Sequence, residues 1–477
     1  MVASKVMDSI ETFGEKTAII YKDEKITYKE LENKIKLAKD FIKQIDLEEH
    51  EPIGICINNS PEFLTILLAC ELENHAAVLL SPGFKETEFL YHIKNGGVRY
   101  VISYANHDLL NAFGAKKTVQ IDGLAIYFFS SIRCNNIYLS GDFICQLTSG
   151  TNGKAKGAIR TSESVELEIE ETIPVMKVTE EDCFLTIPPL CHSFGLIAGA
   201  LLPLSIGCTL VLLPVFTAGN VVKAMKERTI TVLFAVPFMY KILADSHYHE
   251  KDYFRSLKKC ISAGAPLKEE VFWKFYELTG AYIMQDYGST ETGVMAFNDN
   301  PIGQISSVGK VVGSRKFQII DRIKEDGTVD RAGRLLTKSK CDLRRYCYPD
   351  SANKNILDGW LGLGDIGYMD SSENLYVQGR ECNMINCGGL KVDPKEIEAV
   401  IQEIPEVLET VVVGKEVSPY GEVVKAIVVK NGNITKTEIV KHCQGKLGAH
   451  KVPKVITFVE EIPRSATGKI QRKYLTN

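Results

Sequence analysis

Between Gln146 and Ser164 the chain reads QLTSGTNGKAKGAIRTSES, with three glycines and two lysines in the ten residues from Thr148 to Gly157. Glycines let backbone N–H groups approach phosphate oxygens closely, and the hydroxyls of Thr148, Ser149 and Thr151 add donors. Lys154 and Lys156 add charge. The run follows the apolar-flanked FICQLT, so a strand leading into a phosphate-holding loop is expected, with a plain surface turn as the bland alternative. The pattern Gly-x4-Gly-Lys-Ser/Thr is absent, because Gly150 is followed by Gly153 only three residues later. That spacing disfavours a conventional P-loop kinase.

Four further stretches carry chemistry. QDYGSTETG (Gln285 to Gly293) puts an aromatic ring, a glycine, hydroxyls and an acid into one turn. There Tyr287 can stack on a base, Thr290 can hydrogen-bond a phosphate, and Glu291 can hold a hard cation such as Mg²⁺. GWLGLGDIGYMD places Asp365 in a Gly-rich turn, where a carboxylate can accept both hydroxyls of a ribose. QGRECNMINCGGLKVDPKEIE sets Arg380 before a Gly388-Gly389 turn that leads into a helix, and PRSATGKIQRKYL sets Lys469 on a Ser/Thr/Gly turn.

The elements that must position these loops alternate. ITYKELENKIKLAKDFIKQI (Ile26 to Ile45) reads as a strand entering an amphipathic helix, with Leu31, Ile35, Ala38, Phe41 and Ile42 at helical spacing. PIGICI and AAVLLS are short apolar strands around a helix containing Phe63 to Leu72, and strand and helix keep alternating through TLVLLP, TVLFAVP and CISAGAP. This is the pattern of an α/β domain. The last hundred residues differ. Asp393 is an N-cap with Pro394 in the first turn, Ile397, Val400, Ile401 and Ile404 share a face, ETVVVG and VVKAIVVK are strands, and Thr435 with Glu438 makes a capping box. Such a run closes its own α+β core. The expected domains are 1–380, a large α/β domain, and 381–477, a small α+β domain.

Bulk properties narrow the class. A length of 477 residues calls for two or more domains, and 45% hydrophobic with 24% charged residues is ordinary for a soluble protein. A net charge of −4 gives no reason to expect nucleic acid or a membrane surface as partner. The apolar run from Phe194 to Pro214 contains Gly195, Gly199, Pro203 and Gly207, which reads as a buried strand-and-helix segment and not as a span. The first twenty residues lack the apolar region of a secretory signal. Thirteen cysteines without a C-x-x-C pair fit reduced thiols in a cytoplasmic protein.

Taken in this order, the five stretches resemble the adenylate-forming superfamily: acyl-CoA synthetases, adenylation domains of nonribosomal peptide synthetases, and beetle luciferases. The resemblance runs from TYKELENKI to SATGKIQRKYL. It implies that Thr148, Ser149, Gly150, Thr151, Gly153 and Lys156 wrap the β- and γ-phosphates of ATP. Tyr287 would lie against adenine, with Gly264 and Ala265 of SAGAPL on its other side and Asp286, Gly288 and Ser289 completing that nucleotide loop. Thr290 would contact the α-phosphate, Glu291 the Mg²⁺, and Asp365 the ribose, supported by Arg380. Lys469 would bridge the substrate carboxylate and the α-phosphate. His192, Phe238 and Ala263 would wall the acyl pocket, while Gly388 and Gly389 would line the path of a pantetheine thiol.

The implied reaction joins a carboxylic acid to the α-phosphorus of ATP, releases pyrophosphate, and passes the acyl group to a thiol of CoA or of a phosphopantetheine-bearing carrier protein. CHSFGLIAGA lacks the Asp with which amino-acid-activating members hold the α-amine, so an aliphatic or aryl acid is expected. The chain departs from the family pattern at Asn152 and Ala155 in the phosphate loop, Cys382 at the hinge, Arg334 where Glu is common, and LGLGD where a basic residue and Thr are usual. These last departures bear on the second step. The alternatives are a stand-alone loader of a carrier protein and a nucleotide-binding homologue without turnover.

Overall fold

The computed structural model describes residues 1–84, 86–112, 115–121, 123–134, 137–148, 156–246, 251–320, 332–348, 353, 356–381, 385–387, 390–417, 421–447, 451–465 and 469–476. It is a mixed α/β protein that divides into two compact units, each described by itself below.

The first unit contains two large sheets. One has nine strands, in the order Lys310–Val311, Gly293–Asn298, Ile283–Ser289, Lys259–Ser262, Val232–Ala235, Cys183–Thr186, Thr209–Leu212, Thr17–Tyr21 and Glu24–Thr27. Its middle is parallel and largely buried, so these strands are near-continuous apolar runs. The other has eight strands, in the order Arg345–Tyr348, Lys156–Thr161, Asp142–Thr148, Ala77–Leu79, Ile53–Cys56, Tyr100–Tyr104, Leu124–Phe128 and Lys116–Ile121. Ile144, Ile55 and Leu79 of this sheet share one apolar core with Phe184, Leu210 and Phe234 of the nine-stranded sheet. The Pro61–Leu72 and Ser162–Met176 helices contribute Leu64, Leu67, Val165 and Ile169 to the same core.

Local signals explain several boundaries. Thr27 and Glu30 form a reciprocal capping box that starts the Tyr28–Ile42 helix, whose buried face includes Leu31, Ile35, Ala38, Phe41 and Ile42. Thr217 caps the Ala218–Glu227 helix. The apolar run after His192 is a π-helix, Phe194–Leu201, continued as Leu202–Ser205 and followed by the Thr209–Leu212 strand. Its glycines are packing contacts: a Cβ on Gly195 would lie 2.7 Å from the Pro188 and Pro189 carbonyl oxygens, and one on Gly199 2.8 Å from Thr186 Cγ2. Among the described residues no helix is long and apolar enough to cross a membrane.

The second unit comprises Ile319–Leu335, Gly362–Tyr368 and Val377–Asn477. It has a hairpin of Ile385–Cys387 and Leu390–Val392, the Pro394–Gln402 helix, antiparallel strands Val407–Val417 and Gly421–Lys430, the Lys436–Gln444 helix, and Val455–Val459 parallel to the preceding strand. Both expected caps are present: Asp393 accepts from Lys395 N at 2.9 Å, and Thr435 pairs reciprocally with Glu438. Ile385, Ile397, Ile401, Val412, Val424, Ile439 and Ile456 lie in its own apolar core, with Ile404 joining from just past the helix end.

One expectation needs correction. Asp365 does not sit in a turn but inside a ten-residue strand, Trp360–Met369. That strand pairs with Ile356–Leu357 and with Leu375–Arg380. Ladder hydrogen bonds to its neighbours outweigh the poor strand preference of its glycines, one of which, Gly364, has φ +76°.

Candidate active site

Strands Asp142–Thr148 and Lys156–Thr161 form an antiparallel hairpin that sets Thr148 opposite Lys156. Ser149, Gly150, Thr151 and Gly153, expected around phosphate, lie outside the described residues. Lys156 Nζ stands 4.9 Å from the centroid of the Tyr346 ring, within cation–π range. The Tyr346 hydroxyl in turn donates to Glu291 Oε1 at 3.1 Å, and Leu343 N donates to the Glu291 carbonyl at 2.6 Å. One buried tyrosine therefore gathers the expected phosphate lysine and the expected cation ligand. No spacing rule points to Tyr346. Its place follows from the pairing of the Arg345–Tyr348 strand with Lys156–Thr161, which sets it opposite Ala158.

Strands Lys259–Ser262 and Ile283–Ser289 run parallel with Ser262 beside Gln285, so the loops after them leave the same end of the sheet. This places the exposed Gly264 and Ala265 at one edge with the half-buried Tyr287, while Ala263 is buried. Gly264 has φ +84°, a conformation that suits glycine. The first five residues of QDYGSTETG lie in the strand; only Thr290 to Thr292 form the turn, and Gly293 opens the return strand. Thr292 closes this turn on itself: Ser289 N donates to its Oγ1 at 3.3 Å and its N donates to Ser289 O at 3.2 Å. Gly288 is required there because a Cβ would overlap the Gly293 carbonyl. Thr290 and Glu291 stand half-buried at the apex.

Asp286 faces the side of the strand opposite Tyr287 and is buried. Burial first, and then the nearby Glu168 carboxylate, push its pKa well above the usual carboxylate range. Its Oδ1 has no hydrogen-bond partner among the described residues. His192 is half-buried just ahead of the π-helix, with its carbonyl accepting from Leu196 N at 3.0 Å. Phe238 begins the Pro237–Asp245 helix and meets Phe216 edge-on, centroids 6.1 Å apart.

In the second unit the buried Asp365 carboxylate pairs with Arg380, Oδ1 to Nε 3.2 Å. Lys395 Nζ donates to the Gln378 carbonyl beside them, and desolvation lowers its pKa. Lys469 is exposed, its backbone held by Ser465, whose N donates to Lys469 O at 2.8 Å and whose Oγ accepts from Lys469 N at 3.2 Å. Arg334 faces Glu381 at 3.7 Å in an exposed pair of small energetic weight. Cys382, Gly388 and Gly389 lie outside the described residues.

Among the described residues no three His, Cys, Asp or Glu side chains converge on a metal site. Mg²⁺ is commonly bound by one or two carboxylates together with substrate phosphates and water. Glu291 Oε2 is the candidate donor.

The AMP-binding enzyme family model matches residues 6–347, and that of the AMP-binding enzyme C-terminal domain matches residues 396–469. The chain belongs to the AMP-binding enzyme family. It is 29% identical over 470 residues to the 2-succinylbenzoate–CoA ligase of Bacillus mycoides, covering 97% of this chain and 95% of that one. The o-succinylbenzoate CoA synthetase of Bacillus subtilis, solved with its acyl-adenylate intermediate, superimposes with a TM-score of 0.84 at 25% identity, over 99% of this chain and 98% of that one. The same enzyme has also been solved with ATP and a magnesium ion. ATP-bound MatB from Rhodopseudomonas palustris shares the fold, with a TM-score of 0.87 at 24% identity over 100% and 98% of the two chains.

Proposed function

We propose that this family member is an AMP-forming acid–thiol ligase that activates an aryl or aliphatic carboxylic acid with ATP and transfers the acyl group to CoA. The observation that carries the reading is the cluster of Lys156, Tyr346 and Glu291, in a chain similar over nearly its whole length to ligases of that kind. The substrate carboxylate attacks the α-phosphorus, an oxygen–phosphorus bond forms, and pyrophosphate leaves. Two anions must meet, so charge neutralisation and in-line positioning are the whole demand on the protein. The carboxylate is already ionised near pH 7, and no protein base is needed. Thr148, Lys156 and the loop between them would hold the departing pyrophosphate, and Thr290 the α-phosphate. Tyr287 with Gly264 and Ala265 would take the adenine, Asp365 with Arg380 the ribose. Glu291 would hold Mg²⁺, which supplies electrophilic charge to the phosphates. Lys469 would bridge carboxylate and α-phosphate.

The thiol of CoA then attacks the acyl carbon. A carbon–sulfur bond forms, the carbon–oxygen bond to AMP breaks, and the thiol proton goes to solvent. Gly388 and Gly389 would line its approach, and His192, Phe238 and Ala263 the acyl group. The reading divides the chain at Arg380, with the catalytic lysine on the 381–477 segment, and places the enzyme in the reducing cytoplasm.

Loss of one transition-state contact costs on the order of 10²–10³ in rate. Lys469→Ala is expected to lose at least that much ATP–pyrophosphate exchange, over a panel of aryl and aliphatic acids, while its melting temperature stays put. Near-normal exchange in that variant removes Lys469 from the reaction. Thioester formation on a carrier protein but not on CoA would overturn the acceptor.

A further inference from the structure

The Ser162–Met176 helix presents two carboxylates one turn apart; one ends on the backbone of the Gly293–Asn298 strand, the other on the turn at Ser314. Glu168 is 3% exposed; its Oε1 accepts from Val294 N at 3.1 Å and its Oε2 from Arg160 Nη2 at 2.9 Å. The seat exists because residue 293 is glycine, at φ +67°: a Cβ there would overlap the Glu168 carboxylate. Glu171 repeats the device. It accepts from Ser314 N at 2.9 Å and Ser314 Oγ at 2.7 Å, in the space a Cβ on Gly313 (φ +63°) would fill. The next residue, Arg315, is buried and donates to the Thr292 carbonyl at 2.8 Å, to Thr337 Oγ1 at 2.9 Å and to Asp342 Oδ1 at 2.5 Å.

These contacts bracket the Thr290–Glu291 apex. Arg315 holds the carbonyl just after it, and Glu168 holds the amide two residues further on. Glu168 is also tied to Arg160, four residues beyond Lys156 on the strand that leaves the phosphate loop. The helix itself begins where that strand ends, with Thr161 accepting from Ser164 N at 3.1 Å. A dry ion pair is a poor stability device, since desolvation offsets most of its attraction. This one is also incompletely satisfied: Arg160 Nη1 lacks a hydrogen-bond partner among the described residues. A geometric role explains its presence where a stabilising role does not.

We propose that Glu168 is a positioning residue for the ligase reaction. It sets the register of the Thr290–Glu291 turn against the exit strand of the phosphate loop, with Glu171 and Arg315 as the second anchor. The inference rests on the roles assigned above to Glu291 and Lys156. Glu168 is buried with its carboxylate oxygens on protein donors, so it acts through Glu291.

The test is calorimetric binding of ATP with and without Mg²⁺ to the whole protein. In Glu168→Gln, which keeps an acceptor for Val294 N but releases Arg160, the gain in ATP affinity due to Mg²⁺ is expected to fall at least about tenfold, the weight of a charged hydrogen bond. Magnesium-free ATP binding, which depends on the Tyr287 edge, is expected to change by less than about threefold. Because the two residues act as a unit, Glu168→Gln combined with Glu291→Gln is expected to lose no more than Glu291→Gln alone. Should Glu168→Gln fail to fold, Arg160→Met with Glu168→Gln removes both buried charges and takes the same measurements. An unchanged magnesium gain in a folded variant, or fully additive losses with Glu291→Gln, overturns the proposal. A wild type that shows the magnesium gain but forms no adenylate with any acid overturns the assigned reaction instead, and the binding cycle still decides the role of Glu168.

Discussion

Tyr346 ties together two groups of opposite charge that sequence places 135 positions apart, Lys156 under its ring face and Glu291 on its hydroxyl. Its two contacts separate by mutation. Tyr346→Phe keeps an aromatic face for Lys156 but leaves Glu291 without its donor. The Mg²⁺ concentration for half-maximal pyrophosphate exchange is then expected to rise about tenfold, with the rate at saturating Mg²⁺ nearly kept. A magnesium titration of both proteins checks this, and coincident curves would show that the hydroxyl does not orient the carboxylate. The residues proposed for direct chemical roles stand out in the sequence because phosphate, cation and base each demand particular side chains: glycine and hydroxyls, carboxylate, aromatic ring. Tyr346, Glu168, Arg160 and Arg315 were not, because each acts on another protein group, and nothing in a local pattern distinguishes such a residue from a core or surface one.

At the scale of elements, the edge strand that carries Tyr346 is pinned by its neighbour in sequence. Tyr348 Oη lies 2.8 Å from Nδ1 of the buried His92, on the Glu86–Asn95 helix, and the His92 ring stacks on Phe84 with centroids 5.1 Å apart. Burial depresses the His92 pKa from 6.5 to about 4. A histidine depressed in the native state is neutral there while the unfolded chain binds a proton. Its contribution is therefore intact above about pH 6.5 and lost as pH falls towards 4, in total about 3 kcal/mol. Urea unfolding at pH 7.5 and 4.5 is expected to show that loss in the wild type, and a smaller one in His92→Phe, whose ring cannot titrate. An equal loss in both would assign the acid sensitivity elsewhere. Element ends were legible where a side chain caps the backbone, as at Asp393 and Thr435. The π-helical winding of Phe194–Leu201 and the strand around Asp365 were not, because both depend on partners distant in sequence: the Pro188 and Pro189 carbonyls that press on Gly195, and the strands flanking Trp360–Met369.

At the scale of the whole molecule, each unit closes its own apolar core, Ile144 and Phe234 lying in the first and Val412 and Ile439 in the second. Two cores unfold as two cooperative blocks more readily than as one. Scanning calorimetry is expected to give a calorimetric enthalpy well above the van't Hoff value, resolvable into two transitions. Equal enthalpies in a single transition would mean that the blocks unfold together. Sequence by itself determined the alternation of strand and helix, the α+β run at the end, and the order of five loops rich in phosphate-binding chemistry, because periodicity, caps and residue type are local properties. Only the tertiary structure decided that Lys156, Tyr346 and Glu291 meet, that Asp286 turns away from Tyr287, and that one helix seats two carboxylates against Gly293 and Gly313. Those facts depend on which strands pair and which faces pack, and strand pairing over long sequence separations is set by the whole core at once.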